Sequence, residues 1–289
     1  MVYSCGVGDP DPVEIPEMLL SLLQPGDDAE MLFHDYFPLS PAYTLLDSDG
    51  SYRGPVAAPR RDPAHRTRRL DGTPVPLEDW QAAWAQFARR ADLVVFSRNS
   101  AEQVAAVWPD LAGNIALRPH RLRNAVPRLP DPAPDAPVVL GVLGNIGLQK
   151  GAGVVQALAR RLDRRGAGLR LVLIGNIDPA FALPGATRVH GSYAVDDLPQ
   201  LVAHYGVTHW LIPSIWPETF CYTAHECLAT GLPTLAFDIG AQGDAVRTAP
   251  NGVEMPFDLD ADLSQTVLTS LDRLRAGPAN GREEKVRQR

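Results

Sequence analysis

From Pro137 onward the chain alternates unbroken apolar runs with amphipathic stretches, and few folds tolerate that order. PVVLGVLG (137–144), LRLVLIG (169–175), VTHWLIP (207–213) and PTLAF (233–237) are apolar at nearly every position rather than at every second one. Strands of that kind must be covered on both faces, whereas an antiparallel sheet with one wet face would alternate. Between the runs lie GVVQALARRLDRR (153–165), DDLPQLVAHYG (196–206) and TFCYTAHECLATG (219–231), and after them DADLSQTVLTSLDRLRAG (260–277). These space their apolar residues as helices do. TRVHG (187–191) and GVEMPFD (252–258) read as further short extended pieces. The expectation is a parallel, doubly wound α/β sheet, a fold whose ligands gather at the carboxyl ends of its strands.

The front of the chain follows the same logic less regularly. EIPEMLLSLL (14–23), LEDWQAAWAQFARR (77–90) and SAEQVAAVW (100–108) read as helices, with Trp80 and Trp84 as core residues. AEMLFHD (29–35), ADLVVFS (91–97) and GNIALR (113–118) read as strands, the first ending at His34–Asp35. YTLLDSDGSYRG (43–54) suggests a hairpin turning at Asp49–Gly50. Residues 54–76 read as a long loop. Three or four strands make a small, incomplete α/β unit. Proline removes backbone donors and biases its predecessor toward extended conformations, so the proline-dense stretch Arg118–Pro137 suits neither a helix nor a central strand. The reading divides the chain into an N-terminal domain (1–122), a linker (123–136), a C-terminal domain (137–277) and a polar tail (278–289).

Charge and cysteine usage narrow the function. Twenty-seven Lys and Arg against 34 Asp and Glu leave a net charge of −7, which argues against a general nucleic-acid binder. No apolar run approaches the ~20 residues of a membrane-spanning helix, and the acidic N-terminus lacks the basic start of a signal peptide. Cys5, Cys221 and Cys227 show no CxxC spacing and read as reduced thiols of a cytoplasmic protein. Residues 1–50 hold ten carboxylates and no Lys or Arg, while residues 51–100 hold nine Arg; solvated loops account for most of that asymmetry. The cations are almost all Arg, the exceptions being Lys150 and Lys285. Lys150 sits in a glycine-rich turn, GVLGNIGLQKG (141–151), between a strand and a helix. Free amides at a helix start and a mobile ammonium suit a phosphate. The spacing is neither GxGxxG nor GxxxxGK[ST], so alone the turn is a weak signal.

PSIWPETFCYTAHECLATGLP (213–233) carries more. Glu218 precedes the helix expected from Thr219, and Glu226 lies inside it. Two carboxylates in such apolar surroundings need partners. A carboxylate accepts paired donors, as vicinal sugar hydroxyls supply. Cys221, His225 and Cys227 lack a fourth ligand, and HECLA is not HExxH, so no metal site is assigned.

This segment, with its E-x7-E pair, resembles the signature of the family 4 glycosyltransferases, which have the two-domain GT-B architecture. Pro213–Ser214, Gly231–Leu232–Pro233 and the glycine turn of FDIGAQGD (237–244) fall where that family has them. GNIGLQKG is similar to its phosphate turn, HGSYAVDDLPQLVAHYGVTHWLIPS to the segment leading into E-x7-E, and HDYFPLSPAYTLLDSDGSYRG to a segment of some cell-envelope polysaccharide transferases. The likeness spans roughly residues 31–275 and is stronger in the C-terminal domain.

The resemblance implies two Rossmann-like domains and a retaining transfer of sugar from a nucleotide-diphosphate sugar to a glycan or lipid-linked acceptor. On the donor side it implies Gly144, Asn145, Lys150, Ser192, Tyr193, Thr219, Phe220, Cys221 and Glu226, with Glu226 on the ribose and Lys150 on the diphosphate. Glu218, holding the transferred sugar, and His34 are the implied catalytic residues. No metal or other cofactor is expected, because Lys150 and a helix dipole would neutralise the leaving group. The setting would be cytoplasmic, with peripheral attachment to the inner face of the membrane or a partner chain completing the first domain left open. Two departures stand out. Asn145 occupies the place of the family's arginine, which removes one phosphate cation. Nothing before His34 matches the family's opening glycine-rich strand–turn–helix, and Gly6–Asp9 has no strand expected before it. The alternatives are a nucleotide-sugar-binding module without turnover and an NAD-dependent oxidoreductase. The latter is weakened because LVLIG runs into Asn176 rather than an acid for ribose.

Overall fold

The computed structural model describes residues 1–133, 135–165 and 168–276. The tail assigned to 278–289 lies outside the described residues, as does Gly277. The N-terminal domain runs β1 (Val2–Tyr3), α1 (Ile15–Leu22), β2 (Glu30–Leu32), β3 (Thr67–Arg68), β4 (Pro74–Val75), α2 (Leu77–Ala88), β5 (Asp92–Val95), α3 (Arg98–Val107) and β6 (Ile115–Leu117). Its main sheet has the order β1-β2-β5-β6, all parallel. The chain steps across it in one direction, so this is one half of a doubly wound sheet. The β1 pairing corrects the expectation for Gly6–Asp9: a strand does precede that turn, but at two residues it is too short to leave a periodic signal. Helix α2 buries Trp80, Trp84 and Phe87 against Tyr3 and Phe37. Ser97 caps α3 by accepting the Ser100 amide at 3.1 Å.

The C-terminal domain runs β7 (Val138–Ile146), α4 (Ala152–Arg165), β8 (Leu169–Ile177), β9 (Arg188–Val189), α5 (Leu198–Tyr205), β10 (His209–Ile212), α6 (Tyr222–Ala229), β11 (Thr234–Phe237), α7 (Gly240–Thr248), β12 (Gly252–Met255) and α8 (Leu263–Ala276). Six parallel strands lie in the order β12-β11-β10-β7-β8-β9. That is the doubly wound order, reversing direction between β7 and β10. The sheet is dry on both sides: Leu140, Val142, Leu211 and Leu235 face one core, and Val139, Ile174, Trp210 and Ala236 the other. The unbroken apolar runs meet this demand.

Three local expectations need correction. Strand β2 stops at Leu32, so His34 and Asp35 sit in the turn beyond it. The hairpin expected at 43–54 is reduced to one antiparallel bridge, Leu46 to Tyr52. The loop at 54–76 contains a tight turn, Pro63–His65, and the β3–β4 hairpin.

The cause of the last two is a buried polar hub. The Asp47 carboxylate accepts from His65 Nε2 at 2.9 Å, Arg60 at 2.7 Å and Arg53 at 2.8 Å, and Ser40 Oγ lies 2.7 Å from His65 Nδ1. Burial alone would raise the Asp47 pKa, but these donors hold it below the ordinary value. The oxygens and nitrogen of Asp47, Asp62 and His65 come close enough together for a cation. Yet Asp62 is already engaged by Ser48, and two guanidinium groups sit on Asp47. The cluster therefore pins residues 40–65 against the domain. Asp47→Asn should lower unfolding stability by about 2–3 kcal/mol at pH 7, less than for a fully buried pair because both arginines reach solvent. A depressed carboxylate stabilises above its unfolded pKa of ~3.9 and loses that contribution as pH falls through the folded value. In urea titrations the gap between the two proteins should narrow below about pH 4; a gap independent of pH would contradict the hub's ionic character.

Candidate active site

At the reversal point two connections leave adjacent strands on opposite sides, opening a crevice at their carboxyl ends. The turn after β7 carries Lys150 and the loop after β10 carries Glu218. Close backbone packing brings them together. Gly151 has φ +82°, and a Cβ there would lie 1.9 Å from the Pro213 carbonyl. Gly240, at the start of α7, has φ +61°, and a Cβ there would lie 2.5 Å from the Glu218 nitrogen. Only glycine permits both approaches. The Ile215 amide donates to the Gln149 carbonyl at 3.0 Å and the Ala241 amide to the Glu218 carbonyl at 2.8 Å, fixing the loop from both sides.

Lys150 Nζ donates to Glu218 Oε2 at 2.6 Å, and Ser214 Oγ donates to Glu218 Oε1. Glu218 is 2% exposed, whereas the Lys150 side chain keeps 34% of its surface in solvent. Burial pulls the Lys150 pKa down, but the facing Glu218 carboxylate outweighs it and the net direction is up, so the ammonium stays charged. Sequence reasoning named both ends of this pair but saw Ser214 only as a flank of the motif.

The structure divides the remaining site residues into two groups. Thr219 joins the pair: its hydroxyl donates to the His34 carbonyl at 2.9 Å, tying the loop to the N-terminal domain. His34 is exposed at that junction, and burial lowers its pKa against the opposing pull of Asp35. On the far side, Gly144 lies against Thr223 in the first turn of α6, and Asn145 accepts from Asn176 at 3.1 Å across β7 and β8. Ser192 is exposed after β9. Tyr193 is half-buried and close enough to Glu226 that, after burial, that carboxylate is the next contributor to its raised pKa. Burial likewise raises the Glu226 pKa. The Glu226 carboxylate makes no hydrogen bond among the described residues and is half-buried, so its oxygens are free for a ligand's donors.

Helix α6 begins at Tyr222, not Thr219. Thr219 is drawn toward His34 and Cys221 is buried with an extended backbone (φ −110°, ψ 93°), which delays the first turn. The Cys221 thiol, pushed up to about 12 by burial, is inaccessible, so only its backbone can serve a ligand. Phe220 joins an aromatic column bridging the domains: His34 stacks on Phe96 at 4.6 Å, Phe96 on His120 at 4.0 Å, and Phe220 meets His120 edge-on at 5.2 Å. His120 and Phe96 were missed because no local spacing links them; they meet only where β5 and β6 end together. Trp216 was missed too. Its ring is buried in the N-terminal core, edge-on to Tyr36 at 6.4 Å. Asp244 of α7 accepts the Asn99 amide at 2.7 Å, capping α3 from the other domain.

No family model matches the chain. A GDP-mannose-dependent alpha-mannosyltransferase of Mycobacterium tuberculosis (strain CDC 1551 / Oshkosh) is 29% identical over 128 residues, covering 43% of this chain and 32% of that protein. Among solved structures, sucrose-phosphate synthase from Thermosynechococcus elongatus superposes with a TM-score of 0.59 at 17% identity, covering 92% of this chain and 63% of the other. S. aureus TarM in complex with fondaparinux, alpha-GlcNAc-glycerol and UDP gives 0.56 at 11%, covering 91% and 48%. The chain thus spans about a third of the mannosyltransferase and less than two thirds of either structure. No helix among the described residues is long and apolar enough to cross a membrane. With one complete doubly wound domain facing half of another, the chain has the GT-B fold in a shortened form.

Proposed function

We propose that the protein transfers a sugar, with retention at the anomeric carbon, from a nucleoside-diphosphate sugar to a glycan or lipid-linked acceptor, without a metal. The observation carrying this reading is the Lys150–Glu218 pair at the strand reversal. It keeps a cation and a carboxylate at the crevice in mutual balance. The donor supplies the complementary groups: a diphosphate for the ammonium and sugar hydroxyls for the carboxylate. Lys150 holds charge that develops on the leaving diphosphate, and the amides opening α6 add their partial positive charge. Glu226, half-buried and with no side-chain partner among the described residues, takes the ribose hydroxyls beside Tyr193. Asn145 can donate a hydrogen bond to phosphate but no charge, so Lys150 carries the ionic share. His34 lies on the acceptor side, where its near-neutral ring can hold a hydroxyl.

The occupied state of Glu218 favours a second reading, a nucleotide-sugar-binding module without turnover: both carboxylate oxygens already have donors from the chain. Donor hydrolysis by the isolated chain separates the two.

Melting temperature against nucleotide sugars, with GDP-mannose first, should show a rise of about 5 °C or more at ~100 times the dissociation constant, where binding adds about 2.7 kcal/mol. Glu226→Ala should abolish that rise. Glu218→Gln should retain it while transfer or hydrolysis falls at least ~100-fold. Normal turnover in both variants would refute the assignment. A separate stability cycle tests the pair itself. Lys150→Met should cost about 2–3 kcal/mol by stranding a buried carboxylate, and the Lys150→Met, Glu218→Gln double variant should cost less than the sum of the singles. Strict additivity in urea unfolding would mean that the two side chains do not interact.

A further inference from the structure

Beside the aromatic column lies a cavity of about 220 Å³ walled by both domains. Phe96 and Leu117, from the ends of β5 and β6, form one side with Pro119; Phe220 and a face of α7 form the other. Its rim carries Arg98 and Arg247. Pockets that enclose whole drug-sized ligands measure ~300–1,000 Å³, so this one holds a single part of a larger molecule.

Several polar groups around it are already committed. Ser97 Oγ accepts the Ser100 amide, Asp244 accepts the Asn99 amide and Arg247, and the Thr248 hydroxyl donates to the Asp244 carbonyl. Against these mostly apolar walls a sugar ring would leave most of its hydroxyls unpaired. A hydrocarbon would not. Phe220 is held flat by His225, stacked at 4.7 Å, and Leu117 is 49% exposed, a large apolar side chain left open beside the cavity.

Arg98 gives the cavity its charge preference. It is exposed at the first position of α3 and makes no side-chain hydrogen bond among the described residues. A cation there opposes the helix dipole, so the helix does not gain from it. Arg247 is instead paired with Asp244 and Glu254. Apolar walls beside one unpaired guanidinium match an amphiphile whose anionic head directly adjoins its hydrocarbon.

We infer that this interdomain cavity binds the junction of hydrocarbon and phosphate in a prenyl or alkyl phosphate, with the chain against Phe96, Leu117 and Phe220 and the phosphate on Arg98. Its role as an acceptor subsite rests on the transferase reading: Phe220 is two residues from Glu218, so the lipid end of an acceptor held here would place its sugar beside the donor crevice.

The test uses the full chain and citronellyl phosphate, a ten-carbon prenyl phosphate, titrated calorimetrically beside inorganic phosphate and citronellol. Citronellyl phosphate should bind at least tenfold more tightly than either control. Arg98→Ala and Leu117→Gln, both at exposed positions, should each weaken it about tenfold while leaving the melting shift with GDP-mannose or UDP-sugars unchanged. Absence of binding to the unaltered chain, binding indifferent to both substitutions, or equal binding of inorganic phosphate would each overturn the site. If citronellyl phosphate binds as expected but no nucleotide sugar shifts the melting temperature, the amphiphile site stands and the acceptor role falls with the transferase reading.

Discussion

A carboxylate removed from water must be met by a cation or give up its charge, and Glu218 is almost wholly removed from water. The arrangement around the crevice follows from meeting that requirement with Lys150. The β7 turn must lie on the β10 loop, which demands glycine at 151; the start of α7 must pass behind Glu218, which demands glycine at 240. The same approach holds the crevice at one spacing, because the ammonium and the carboxylate come from strands on either side of the sheet's reversal. An apolar substitute for the pair can pack as well but would have nothing to offer a charged ligand. The placement of a buried ion pair at the crevice of the strand reversal, rather than elsewhere in the core, is what makes it informative.

The C-terminal domain was legible because its strands obey one strong constraint. PVVLGVLG and, beyond Arg170, LRLVLIG are buried on both faces, so nearly every position is apolar, and glycine or proline marks each end. The N-terminal sheet offered less to read. Strands of two to four residues cannot show a period, and β1 is identifiable only by its partner β2. The Asp47 hub was invisible for a different reason. Its members Ser40, Asp47, Arg53, Arg60 and His65 are spread over a segment with no periodicity, and only folding assembles them.

The site shows the same division. Lys150, Glu218 and Glu226 were readable because their local setting, a glycine turn and an apolar helix with two carboxylates, is chemically unusual. The start of α6 was misplaced because Thr219 answers to His34 in the other domain, 185 residues away in sequence, rather than to helix propensity. His120, Phe96 and Asp244 share that character. Each is ordinary in its own segment and acquires meaning across the interface: His120 as a ring in a column, Asp244 as a cap for α3. Residues whose role is made by a tertiary contact leave no pattern along the chain.

Trp216 has a consequence for biosynthesis. Its indole fills part of the N-terminal domain's interior, although that domain's last strand ends at Leu117. Domains generally fold in order as they leave the ribosome. Here the first one to emerge would carry an unfilled notch beside Tyr36 until roughly a hundred further residues had been added. Its maturation therefore waits on the very loop that bears Glu218, and a nascent chain stalled before that point would expose an aromatic surface that the finished protein conceals.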